Sequence, residues 1–248
     1  MNENAVLPPS SARAEPQHWK FWATILWGVV IAVVFSVVQG LIVFWRQFAN
    51  ANVSDEAILA AAENGTLVSL SVYGTTIVCC ALIAGIVRLK KGAVLHDYLA
   101  LYPVPRSTVL KWLAYLAIAI VLSDGLTTLL GKPLVPEVMV RLYETSEPVW
   151  LIWIALIVAA PLFEEVFFRG FLFKGFQRST LGTIGAVVVT AALWALIHLQ
   201  YDAYGIATVF VLGLLLGAAR ARTGSLLAPL LMHSMANVVA TVEAAIVV

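Results

Sequence analysis

An all-α, polytopic membrane bundle of about seven transmembrane helices is the fold this sequence predicts, and three observations predict it. Its 248 residues are 61% hydrophobic and only 12% charged, with a mean hydropathy of +0.93, which lies outside the range of soluble domains. The apolar residues fall into runs near the ~20 that a helix needs to cross a ~30 Å hydrocarbon core. The 15 Lys and Arg gather in alternate gaps between those runs, as cytoplasmic loops require. The same composition excludes other classes. A net charge of +1, with no basic run interleaved with aromatics, gives no electrostatic basis for binding nucleic acid. The cysteines, Cys79 and Cys80, are neighbours in an apolar run, which suits packing rather than a disulfide or a metal.

In chain order, residues 1–20 read as a short cytoplasmic tail, with a disordered leader from Met1 to Pro16. The first span, Phe21 to Trp45, is too long and too late for a cleaved signal peptide and remains as an anchor. Val68 to Val87 and Val109 to Leu130 complete a three-helix N-terminal part, 21–149. The C-terminal part, 150–248, holds Trp150 to Phe173, Thr183 to Leu199, Tyr204 to Ala219 and Leu226 to Val247. An inside N-terminus puts Arg13, Lys20, Arg88, Lys90, Lys91, Arg106, Lys111, Arg169, Lys174, Arg178, Arg220 and Arg222 toward the cytoplasm. Only Arg46, Lys132 and Arg141 go outside, a split of 12 against 3 among the 15. The loop after the first span, outside in this arrangement, also carries Asp55, Glu56 and Glu63. The expectation is an integral, multi-pass protein of the plasma (inner) membrane with a cytoplasmic N-terminus.

The fourth span contains APLFEEVFFRGFLF, Ala160 to Phe173, with Glu164, Glu165 and Arg169 in apolar surroundings. A charge at a helix centre costs about 2.5–3.5 kcal/mol on insertion scales, so the three together ask for roughly 7–10 kcal/mol from partners or apolar neighbours. The plain reading ends the span at Phe163 and leaves the charges at the cytoplasmic interface. Helix geometry points elsewhere. Glu165 and Arg169 stand four apart in the acid-first order of an ion pair and neutralise each other. Glu164, turned by about 100° from Glu165, has no basic residue three or four positions away and needs a partner on another helix. A carboxylate left over in this way is the kind of group that chemistry uses.

Of the four histidines, His18 and His96 fall in tail and loop. His198 (in LWALIHLQ) and His233 (in LLMHSMANVV) fall within or at the edge of spans, where an ionisable residue signals function. Polar glue between helices accounts for either one alone, but less well for both together with Glu164. If the fourth and fifth spans turn near Thr180, Glu164 lies 16 residues before the turn and His198 lies 18 after it. With Lys174 at the inner surface, Glu164 comes out ~15 Å deep, and His233, beyond the inner turn at Gly224, reaches the same ~15 Å. Asn237 follows His233 by one turn on the same face and offers an amide to that layer. Phe163, Phe167, Phe168, Phe171 and Phe173 read as packing or lipid-facing surface, with a greasy substrate entrance as the sharper alternative. Asp124, near the outer end of the third span, reads as an interfacial residue.

EEVFFR (Glu164 to Arg169), WALIH (Trp194 to His198) and HSMAN (His233 to Asn237) resemble the EExxxR, FxxxH and HxxxN signatures of the CPBP, or Abi, intramembrane proteases. That family includes type II CAAX prenyl endopeptidases and bacteriocin-processing or self-immunity proteins. The motifs occur in order, on separate predicted helices; Trp194 stands where the family often has phenylalanine, an aromatic for an aromatic. The resemblance implies an endopeptidase acting on membrane-associated protein or peptide substrates. It assigns water activation to Glu164 and His198, oxyanion stabilisation to His233 and Asn237, and a supporting ion pair to Glu165 and Arg169.

The resemblance also leaves room for zinc, since Glu164, His198 and His233 make a two-histidine, one-carboxylate set. A metal-free site is the expectation, because Arg169 occupies Glu165 and the histidines lack the H-E-x-x-H spacing. Two rivals belong to other classes. One is a non-catalytic membrane immunity or scaffold factor on the same fold, against which the intact motifs argue. The other is a proton-coupled carrier, which paired broken helices and inverted repeats would mark. No motif specifies a substrate sequence or an oligomeric state.

Overall fold

The computed structural model describes residues 17–49, 54 and 60–248. The leader Met1 to Pro16, with Arg13, and the acidic residues Asp55 and Glu56 lie outside the described residues. Within them the chain forms helices and no strand. The helices are α1 (Phe21–Ala49), α2 (Gly65–Leu89), α3 (Leu95–Leu99), α4 (Arg106–Leu129), α5 (Glu137–Glu144), α6 (Trp150–Gln177), α7 (Gly182–Leu196), α8 (Ala203–Thr223) and α9 (Leu227–Val247).

Six of these, α1, α2, α4, α6, α8 and α9, are long and apolar enough to cross a membrane. The shorter α7 differs from the span read from hydropathy, Thr183 to Leu199. It has 15 residues, a rise of ~22 Å. Its end is set by hydrogen bonding. Ile197 and His198 donate their N–H groups three residues back, to Trp194 O at 3.3 Å and Ala195 O at 3.0 Å, a tightening typical of a last turn. The chain is therefore an all-α polytopic bundle of six long apolar helices and a shorter seventh.

Burial ranks the helices. Half of the most apolar stretch of α6 is buried, against 11% for α1 and 6% for α4, so α6 is the axis and the other two form the rim. The α4 face with Val121, Leu122 and Leu129 is exposed, as a lipid-facing surface is. Around α6, α1 runs along α2, α7 runs along α8, and α9 packs against the first half of α6. Close approach is set by small residues. A Cβ at Gly213 of α8 would lie 3.0 Å from Trp194 Cε3 and 3.1 Å from Ala191 Cα, so glycine lets α8 reach the backbone of α7. At Gly65 a Cβ would fall 1.8 Å from Leu142 O, which fixes α5 against the start of α2.

Candidate active site

The axis helix is built from two kinds of turn. α-Helical turns at Trp150–Ile154, Ala160–Glu164 and Phe173–Gln177 alternate with π-helical stretches at Ala155–Ala159 and Glu165–Leu172. Ala160 donates its N–H to Ala155 O, five residues back. In that register the carbonyl of Leu156 looks to residue 161, which is a proline and has no N–H. Asn237 of α9 fills the gap, donating Nδ2 to Leu156 O at 2.7 Å. From α2, Thr76 Oγ1 donates to Ala159 O at 2.9 Å and the Tyr73 hydroxyl to Leu151 O at 2.6 Å. Neighbouring side chains thus bind carbonyls along the widened part of α6, as buried backbone requires.

Glu164 ends the second α-helical turn and Glu165 opens the second π-helical stretch, so the two neighbours face different surroundings. Glu165 and Arg169 are fully buried. Arg169 donates from Nη1 to Glu165 Oε1 at 3.0 Å and from Nη2 to Gly213 O at 3.2 Å. Its guanidinium carbon lies 4.6 Å from the Trp194 ring centroid, a cation–π arrangement. Arg220 of α8 donates Nε to Arg169 O at 3.0 Å. His233 Nδ1 reaches Glu165 Oε1 at 3.0 Å. A carboxylate oxygen accepts, so this partner assigns the proton to Nδ1. The other nitrogen, Nε2, faces Glu164 Oε2 at 3.9 Å.

Glu164 keeps 15% of its side chain exposed, and its Oε2 accepts a hydrogen bond from the indole Nε1 of Trp194. His198, just past the end of α7, donates Nδ1 to Trp194 O at 2.8 Å, which leaves Nε2 as its free nitrogen. The Trp194 ring stands edge-on to His198 at 5.2 Å and to His233 at 5.0 Å. Tyr201, in the turn before α8, stacks on His198 with centroids 5.9 Å apart and 23° between planes. Burial, followed by the nearby Glu164 charge, pushes its phenol up.

Glu164, Glu165, Arg169, Trp194 and His233 therefore share one layer, and His198 joins it through Trp194. Asn237, read from the sequence as a donor into this layer, spends one amide proton on Leu156 and keeps a second. Phe163, Phe167, Phe168, Phe171 and Phe173 are all buried in the core cluster, so they pack and line neither an entrance nor the lipid face. Asp124 is half-buried on α4. Among the described residues, no group of three or more His, Cys, Asp or Glu side chains that could hold a metal ion is found. Sequence reasoning missed the N–H of Trp194, the role of Pro161 and the stacking of Tyr201. Pro161 carried a signal, since a proline three residues before Glu164 leaves a carbonyl to be satisfied.

Residues 145–239 match the family model described as type II CAAX prenyl endopeptidase Rce1-like. This stretch is similar to Rce1-like domains. The matched stretch, consistent with the CPBP family, contains every member of the layer, from Glu164 to His233, together with Asn237. A curated relative, an uncharacterized 24.3 kDa protein of Escherichia coli, is 31% identical over 124 residues, 49% of this chain and 52% of that protein. The chain thus spans about half the length of the curated relative it matches. No solved structure matches it. The apolar helices and the Rce1-like stretch make this a multi-pass membrane protein.

Proposed function

We propose that the protein is an intramembrane endopeptidase, CAAX-protease-like, that hydrolyses peptide bonds in membrane-associated proteins or peptides. Residues 150–248 form its catalytic core, 21–149 brace that core, and its setting is the plasma (inner) membrane with the N-terminus in the cytoplasm. One observation carries the reading: of two adjacent glutamates, Glu165 is sealed in an ion pair with Arg169, while Glu164 stays partly open and faces His233. A structural role asks for only the first.

In this reading Glu164 and Nε2 of His198 draw the proton from a water molecule as its oxygen bonds to the scissile carbonyl carbon. The carbonyl electron pair moves onto oxygen. Collapse of the tetrahedral intermediate breaks the C–N bond, and the departing nitrogen takes the proton. His233 Nε2 and the second amide proton of Asn237 serve the oxyanion. To donate there while Nδ1 is on Glu165, His233 is the imidazolium, and its charge brings the set Glu164, Glu165, Arg169 and His233 to neutrality. The reading is metal-free, and it calls on each of these residues once.

Peptides recovered from membranes of cells carrying wild type or Glu164→Ala test it. Fragments of membrane proteins that depend on wild type are expected. Indistinguishable peptide sets would overturn the reading in favour of a non-catalytic immunity or scaffold factor.

A further inference from the structure

At residue 194 the ring alone is not what the site uses. A phenylalanine there would supply the edge-on contacts to His198 and His233 and a face for the Arg169 guanidinium. It would offer Glu164 nothing, because it has no N–H. Trp194 is 2% exposed, and a buried indole N–H normally has a partner. Here that partner is Oε2 of the least buried acid in the layer. The same residue accepts from His198 Nδ1 through its carbonyl at 2.8 Å. One residue thus ties the two groups assigned to the water, one through its side chain and the other through its backbone.

We infer that Trp194 is a positioning residue that holds the Glu164 carboxylate through its indole N–H. The inference rests on the endopeptidase reading for its kinetic consequence, though not for its structural one. Glu164 has two oxygens, and fixing Oε2 leaves Oε1 as the one free to take a proton. Without the indole, a glutamate beside the π-helical stretch samples other rotamers, and the geometry for proton transfer is met less often. The backbone carbonyl of residue 194 is kept by any substitution, so only the Glu164 side of the tie is lost.

Trp194→Phe, or replacement of Trp194 by benzothienylalanine, which keeps the bicyclic shape and lacks the N–H, separates hydrogen bonding from packing. Loss of a hydrogen bond to a charged group is expected to lower kcat about tenfold or more, with KM nearly unchanged. Benzothienylalanine should match Trp194→Phe in rate while losing less thermal stability, since it keeps the bicyclic packing.

A second measurement needs no substrate. In the indole region of a 15N-correlated NMR spectrum of the full chain in nanodiscs, the Trp194 signal is identified by its absence in the benzothienylalanine protein. Among the eight tryptophans, it should be the one that moves most on Glu164→Gln, and it should stay in place on Glu243→Gln. If the Trp194 signal is unmoved by Glu164→Gln, the inference is overturned, whether or not peptidase activity is found. A benzothienylalanine protein with wild-type kcat would overturn it equally. A moved signal in a protein without peptidase activity would keep the tie and remove the endopeptidase reading.

Discussion

Replacing a glutamate by glutamine keeps its shape and removes its charge, so the same change at Glu164 and at Glu165 tests two different jobs. Glu164→Gln should abolish cleavage and leave the yield of folded protein near wild type. Glu165→Gln strands Arg169 in a fully buried site, where breaking an ion pair costs about 3–5 kcal/mol, and low yield is the expected result. Yield and cleavage measured side by side on both variants check this. A well-folded, inactive Glu165→Gln beside an active Glu164→Gln would reverse the two roles. Asn237→Ala should lower the rate by about a hundredfold, the typical cost of one oxyanion donor. Elemental analysis should find no stoichiometric zinc in the active protein. One zinc per chain, with activity lost to a chelator and restored by the ion, would refute the metal-free site.

Pro161 and Asn237 belong together in the architecture of α6, and their pairing yields a sharper experiment. Asn237→Ala strips the partner from Leu156 O, and an unsatisfied buried acceptor costs about 1–3 kcal/mol. Pro161→Ala returns an N–H to the helix. The double variant should therefore regain thermal stability relative to Asn237→Ala without regaining rate; recovery of both would show that Asn237 acts only as a plug.

This coupling also marks what a sequence discloses. The apolar runs placed all six long helices, because twenty apolar residues in succession have few other solutions. The i,i+4 spacing disclosed the Glu165–Arg169 pair, which is local to one helix. The π-helical turns were hidden, since their carbonyls are met by side chains of other helices: Thr76 of α2 and Asn237 of α9 at the first stretch, Arg220 of α8 at the second. So was the end of α7, which hydropathy carries on to Leu199 while hydrogen bonding stops it at Leu196. The short α3 and α5 escaped for another reason. They run 5 and 8 residues, too few for a periodic signal to stand out. At residue 194 the alphabet misled: two aromatics look interchangeable until a carboxylate sits at the indole nitrogen.

For the bundle as a whole, the 12-to-3 distribution of Lys and Arg predicts cytoplasmic loops around Lys90 and Lys91 and an outside loop at Lys132. Topology reporters fused after Lys91 and after Lys132 should read inside and outside respectively. The opposite pair of readings would invert the protein and move its N-terminus outside. Neither result alters the internal geometry, because the layer of Glu164, Trp194 and His233 is fixed by helices packed on α6 and not by either surface.

The brevity of α7 bears on hydration. Hydrolysis consumes one water per bond cut, and hydrocarbon holds almost none. A helix that rises ~22 Å is ~8 Å shorter than a ~30 Å hydrocarbon core. The turn that follows, from Ile197 to Tyr201, is not helical, and those of its peptide groups without a backbone partner cannot face acyl chains unless solvent or protein satisfies them. Solvent that follows this turn inward arrives at His198, one residue pair beyond the last helical position. In the endopeptidase reading, the early stop in α7 gives water a route to His198 from the side of the bundle.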